Sequence, residues 1–424
     1  MKHTISASQF LQSVFTFLAG IVVVNAFGNH PSLNDYYVIF SLFTFVASIF
    51  TAPLLQSYVA YQRDFMQYLD LIHDTRVLIV RYCTLLIGVW LVCMLFMSSK
   101  LNLSAEEFTG WSYVMVIASF ALLLFLTLLT AIDSAELISK GKVLQPIFFS
   151  YSVPMGISLL IFYFGDMGVN IILLGLGFGS IVAYLLGRVY NKKYRSRIPV
   201  KLQLSQKPLF REYLLKGSVG IFPLIAIGPM LIFFVAQDVS LSVVFYTIPI
   251  SFAGVISILT SYGPFIMKIS SNNNISTEKN IQSVLFTMVL AIIACLITII
   301  IFRLLGDSIY EVSFSNETFE IFNAILISGV FISGYNVIRA DDWKASLSIF
   351  ALFQPLVLII SAGILFYFLQ LYFEPIFIAS GYSFSFLVLL IGRIITLYGL
   401  SKSSIRLIVF AILTYTALNY FFVY

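Results

Sequence analysis

The sequence predicts an all-α polytopic membrane protein: two parallel six-helix repeats, twelve spans in all, followed by a C-terminal thirteenth. Three observations carry this expectation. The chain is 60% hydrophobic and only 10% charged, with a mean hydropathy of +0.99, whereas a soluble domain carries about 25% charged residues. Apolar runs of about 20 residues recur from end to end, each long enough to cross a hydrocarbon core of about 30 Å. Finally, "VLQP" at 143–146 returns as "LFQP" at 352–355, 209 residues later, each at the head of an apolar run.

Taken in order, the spans fall at 9–27, 36–58, 77–98, 111–132, 144–164, 168–189, 213–236, 243–267, 282–304, 319–338, 346–369, 375–399 and 405–423. The first run follows "MKHTISASQF", which has one Lys, then polar residues and no clear small-residue cleavage site, so it reads as a retained span. Cys83, Cys93 and Cys295 all sit inside apolar runs. Cys83 and Cys93 are ten positions apart on one helix, about 15 Å along its axis, too far for a disulfide.

Basic residues orient the spans. With the N-terminus in the cytoplasm, 22 Lys and Arg fall inside and only Lys100 and Arg303 outside. The longer outer loops, 99–110 and 305–318, are acidic. The longest loop, 191–212, lies inside and holds seven Lys or Arg against one Glu. It reads as a linker resting on anionic headgroups, and no nucleic-acid partner is expected. The chain thus divides into an N-lobe at 1–190, the basic linker at 191–212, a C-lobe at 213–400 and an extra segment at 401–424.

The repeat extends beyond the Gln-Pro pairs. At the same offset "YVIFSLFTFVASIFT" (37–51) lies on "YTIPISFAGVISILT" (246–260), with Tyr37/Tyr246, Phe43/Phe252, Ser48/Ser257 and Thr51/Thr260 among the matches. Asp133 pairs with Asp342 at that offset, and "LLGR" (185–188) echoes "LIGR" (390–393) at 205. Six spans per unit is an even number, so the copies enter the membrane in the same sense and are related by an axis along its normal. Two such lobes facing a central cleft suit alternating access.

Several chemistries are absent from the sequence. There is no G-x-x-x-x-G-K-[ST] loop and no H-E-x-x-H, and His3, His30 and His73 are scattered. No catalytic residue, metal or cofactor is expected. Asp341-Asp342, flanked by Arg339 and Lys344, reads as a locally neutralised surface turn. A membrane enzyme of glycan assembly would need a sizeable outer loop for its chemistry, and none is present.

Ionisable and amide side chains in the spans are the candidate substrate contacts. Arg81 and Lys216 lie about one turn inside their spans. They either snorkel to the headgroups or offer charge to an anion. Arg188 and Arg393 close the sixth and twelfth spans as candidate cations of the cytoplasmic mouth. Gln145 and Gln354 either tie up loose backbone beside a first-turn proline or face the cleft and bind sugar hydroxyls or phosphate; Asn25, Asn323 and Asn336 could do the same.

With these features the chain resembles the MOP superfamily of exporters, and within it the Wzx-like polysaccharide flippases. The resemblance covers about residues 5–400 and rests on the paired units, short outer loops, basic linker, "DYYVIFSLFTFVASIFTAPLLQSYVAYQRD" and "TAIDSAELISKGKVLQPIFFSYS". It implies a two-lobed, V-shaped, MATE-like bundle. The implied activity moves an undecaprenyl-diphosphate-linked oligosaccharide to the outer leaflet of a bacterial plasma (inner) membrane, for O-antigen or capsule assembly. The implied partners are that lipid-linked substrate, membrane lipids, a polysaccharide polymerase and other assembly proteins. The alternatives are a cation-coupled multidrug exporter of the same superfamily and a membrane enzyme or scaffold of glycan assembly. Such exporters carry an acid in the first span, and "SQFLQSVFTFLAGIVVVNAF" has none.

Overall fold

The computed structural model describes residues 18, 21, 25, 41, 45, 88, 121, 122, 125, 126, 129, 170–191, 207–235, 243–270, 276–310, 313–343, 349–372 and 374–423. All regular structure among them is helical: α1 (Asn170–Asn191), α2 (Lys207–Val235), α3 (Val243–Ser270), α4 (Thr277–Tyr310), α5 (Asn316–Leu326), α6 (Ser328–Arg339), a 3-10 turn (Ala340–Trp343), α7 (Ile349–Tyr372), α8 (Pro375–Tyr398) and α9 (Lys402–Phe422). Among the described residues, six stretches are long and apolar enough to cross a membrane: one each in α3, α4, α7, α8 and α9, and one running through α5 and α6. The chain forms two compact units, Met1–Val22 with His30–Ser218, and Val23–Asn29 with Val219–Tyr424.

In the second unit the packing follows the sequence pattern. On α4 the buried residues Val284, Met288, Ala291, Cys295, Ile299, Phe302 and Gly306 recur at helical spacing. The opposite face exposes Phe286, Leu290, Ile293, Ile297, Ile301 and Leu304. A helix apolar on both faces but packed on one is matched to hydrocarbon, not to water. α9 is similar, with Leu407, Ala411 and Leu418 inward and Ile405, Val409, Ile412 and Leu413 outward.

The α5–α6 stretch lies at the centre. It is 89% buried, against 22% for the spans of α7 and α9. Its composition explains this position. Gly329, Ser333 and Gly334 present almost no side-chain bulk, so neighbouring backbones approach closely. A Cβ at Gly329 would lie 3.1 Å from both the Cα and the carbonyl oxygen of Ala253 on α3. α6 packs on α3, α4 and α8.

Two local features depart from the sequence expectation. The span expected at 319–338 is interrupted at Ile327. Ser383 on α8 donates its hydroxyl to the Ala324 carbonyl, which an unbroken helix would offer to the Ser328 amide. A side chain entering the ladder in this way breaks a helix. The chain keeps right-handed angles at Ile327 (φ −54°, ψ −30°) and tightens into a three-residue turn, with Val330 N–H on the Ile327 carbonyl at 3.1 Å. Pro355, expected in the first turn, stands inside α7, because the helix starts at Ile349. It therefore removes a ladder hydrogen bond, which membrane helices tolerate when neighbours re-satisfy the freed groups.

Other ends follow local rules. Pro375 opens α8 behind Glu374, where its missing N–H costs nothing. α8 stops at Gly399, whose φ of 64° favours glycine. Ser315 and Ser401 cap α5 and α9 by accepting from the amides of Thr318 and Ser404, each at 3.2 Å. α2 begins at Lys207, inside the stretch read from sequence as linker.

Candidate functional site

Three clusters of described polar groups stand out inside the second unit. The first is a seam between α3 and α6. Asn336 Nδ2 donates to Ser257 Oγ at 2.8 Å and to Ser261 Oγ at 3.2 Å. One turn along, Thr260 donates to Ser333 Oγ at 2.9 Å. Ser257, Ser261 and Ser333 are buried. Asn336 Oδ1 is buried too and has no partner among the described residues.

The second place is where α3, the 3-10 turn and α8 meet. Lys268 Nζ lies 3.1 Å from Asp341 Oδ2, and their side chains are only 6% and 14% exposed. Lys268 also donates to the Val337 carbonyl at 3.3 Å. The Tyr398 hydroxyl donates to the same Asp341 oxygen. Beside them the Arg339 guanidinium sits 4.4 Å from the centre of the Phe265 ring, a cation–π distance.

Asp341 is neutralised, as the sequence suggests, but by Lys268 of α3 and in a largely enclosed position, not by Arg339 and Lys344 on a surface turn. The 3-10 turn folds back onto α3 and α8, and the carboxylate becomes the acceptor that joins them. Lys268 and Tyr398 went unnoticed in the sequence because each stands alone near the end of an apolar run. The available signal was an acid two residues past a helix-ending Arg.

The third place joins α7 and α8. Gln354 Oε1 accepts from Thr396 Oγ1 at 3.0 Å and from Arg393 Nη1 at 3.5 Å. Arg393 is 1% exposed, and it is among the largest side chains so enclosed.

Of the residues singled out by sequence, the structure brings Gln354 and Arg393 together. Asn336 lies in the α3–α6 seam. Asn25 is exposed and donates to the Ile309 carbonyl at 3.1 Å. Asn323 is 5% exposed and donates to the Phe422 carbonyl at 2.9 Å, which ties α5 to α9. Arg188 is exposed on α1, with its guanidinium 2.8 Å from the Tyr184 hydroxyl and over the Tyr184 ring. Lys216 lies on the backbone of α2. Arg81 and Gln145 lie outside the described residues.

Helices of this length with lipid-matched outer faces, and buried polar groups held between them, define a multi-pass helical membrane protein. No protein-family model matches the chain, and no curated protein matches it by sequence. Solved structures do match. The chain is similar to the lipid II flippase MurJ in an inward closed conformation, with a TM-score of 0.62 and 15% identity over 99% of this chain and 98% of that one. It is also similar to a multidrug resistance MATE family transporter of the MOP superfamily. The inward-facing form gives a TM-score of 0.61 and 10% identity over 96% of each chain. The outward-facing form gives 0.60 and 11%, over 99% of this chain and 96% of that one. At such identities the likeness is one of fold.

Proposed function

We propose that this protein is a flippase, not an enzyme. In this reading it moves an undecaprenyl-diphosphate-linked oligosaccharide from the inner to the outer leaflet of a bacterial plasma membrane, for surface polysaccharide assembly. The observation that carries the reading is the whole-length fold likeness to MurJ, joined to a first span with no acid for cation coupling. The lobes are the two six-span repeats, related by an axis along the membrane normal and joined by the basic linker 191–212. Multidrug export is the second reading, favoured by the MATE likeness at nearly the same TM-score.

The substrate would be an anionic diphosphate that has to pass between hydrocarbon-embedded helices. An unpaired charge there is costly, so the path must supply cations or dense hydrogen bonding. Arg81 and Lys216 act as the capture site on the cytoplasmic side. Gln145, Gln354, Asn25 and Asn336 are candidate contacts along the path, and Arg188 and Arg393 candidate cations at its cytoplasmic mouth.

In a deletion strain of the source organism, lipid-linked oligosaccharide is expected to accumulate and surface glycan to fall, with recovery on complementation. Arg81→Ala and Lys216→Ala each reduce surface glycan about tenfold while protein accumulates normally, the factor that one charge-assisted hydrogen bond carries. Lys216→Arg is milder because the charge is kept. Normal export by both alanine variants would remove cationic capture from the mechanism. A deletion that leaves the glycan untouched but raises drug sensitivity would favour the multidrug reading.

Orientation has its own test. Single cysteines at Ser196 and Ser313, in a background lacking Cys83, Cys93 and Cys295, are exposed to an impermeant thiol reagent on intact cells. Labelling is expected at 313 and not at 196; the reverse pattern would overturn the cytoplasmic placement of the N-terminus.

A further inference from the structure

We infer that Gln354 is a positioning residue for Arg393. The inference deepens the flippase reading and rests on it for what Arg393 serves.

Gln354 sits on a face where amides are out of place. Its helix neighbours Phe353, Leu356 and Val357 are exposed apolar side chains suited to lipid. The amide instead turns to α8 and lies flat on its backbone: a Cβ at Gly392 would come within 2.4 Å of Gln354 Nε2. The bare Cα of Gly392 leaves room for the amide in this position. Thr396 fixes the amide from the other side. Its hydroxyl oxygen lies 2.8 Å from the Gly392 carbonyl and 3.0 Å from Gln354 Oε1, so its one proton is shared between the two acceptors.

The same oxygen meets Arg393 Nη1 at 3.5 Å, the long limit of a hydrogen bond to a charged donor. The amide oxygen thus faces a hydroxyl and a guanidinium together, and that guanidinium is 1% exposed.

The elements of this lock recur in the first half of the sequence. Gln145-Pro146 precede Gln354-Pro355 by 209 positions, and Gly187-Arg188 precede Gly392-Arg393 by 205. The two arginines are held differently. Arg188 is exposed and rests on Tyr184 of its own helix. Arg393 is enclosed and held by an amide from a different helix. A guanidinium with a fixed direction offers paired donors to a phosphate group. Gln354 sets that direction through its amide oxygen.

Two replacements separate positioning from packing. Gln354→Glu keeps an acceptor at the same reach. Gln354→Met keeps the volume and removes the acceptor. In purified full-length protein, the reaction of Arg393 with phenylglyoxal is followed by mass spectrometry. Complemented deletion cells are scored for surface glycan at matched protein levels.

The expected result is faster Arg393 modification and about tenfold less glycan in Gln354→Met, the factor of one charge-assisted hydrogen bond, while Gln354→Glu, which keeps the acceptor, leaves Arg393 modified no faster than in wild type. Equal modification in the two variants and wild type overturns the lock. Altered modification with unchanged glycan in Gln354→Met overturns its role in transport. If wild-type protein fails to restore glycan, the flippase reading fails, and the modification rates alone decide whether Gln354 positions Arg393.

Discussion

Asp341→Ala is expected to lower the stability of the second unit by about 3–5 kcal/mol, the cost of removing one partner of a buried ion pair. The carboxylate accepts from Lys268 on α3 and from Tyr398 on α8, and it stands on the turn that follows α6. Its loss takes the counter-charge from a lysine that is 6% exposed, and it takes an acceptor from a part-buried phenol. Replacing both partners behaves differently. Lys268→Met with Asp341→Leu removes both charges and keeps the volume, and should recover most of the loss. Thermal unfolding in detergent, followed by a fluorogenic thiol reagent that reports exposure of Cys295, measures both. A single variant as stable as wild type would show that the pair is not needed for packing α3 against α8.

Gly329→Ala is expected to destabilise by about 1–3 kcal/mol, the range for overpacking a close-packed contact. The added methyl would meet backbone atoms of Ala253 at 3.1 Å, and backbone cannot turn aside as a side-chain end can. Helices α3 and α6 must separate, which also stretches the Thr260–Ser333 and Asn336–Ser257 hydrogen bonds. Gly254 supplies the control. It is the next residue on α3, and a Cβ there meets nothing within 4 Å. Gly254→Ala should be neutral or gain up to about 1 kcal/mol from helix propensity. Equal unfolding temperatures for the two variants would remove the close approach as the explanation of Gly329.

These sites show what could be read from sequence. The expected segments at 243–267 and 375–399 correspond to α3 (Val243–Ser270) and α8 (Pro375–Tyr398), because apolar composition and a proline at the helix start are local signals. α4 runs from Thr277 to Tyr310, past both ends of the expected 282–304, since hydropathy sees only the part matched to lipid while hydrogen bonding continues into polar turns. The interruption at Ile327 falls just before Ser328-Gly329, and the contact that accompanies it comes from a hydroxyl 59 positions downstream. Asp341 was misread because its partners come from helices on either side in the chain. The Gln-Pro repeat drew attention to Gln354, but not to Arg393 as its contact, which needed the packing of α7 on α8. The chain before Asn170 is described at only a few positions, so Arg81 and Gln145 keep the status the sequence gives them.

The hydrogen bond from Asn323 to the Phe422 carbonyl has a consequence for biosynthesis. Donor and acceptor are 99 positions apart, and a ribosome adding about 5–20 residues each second needs about 5–20 s to span that interval. During that time the amide of Asn323 enters the bilayer before its acceptor exists. A polar group in hydrocarbon without its partner is costly, so the nascent segment must keep its amide in contact with water, headgroups or the insertion machinery until α9 arrives. The arrival of α9 is therefore what releases the central segment to its final depth.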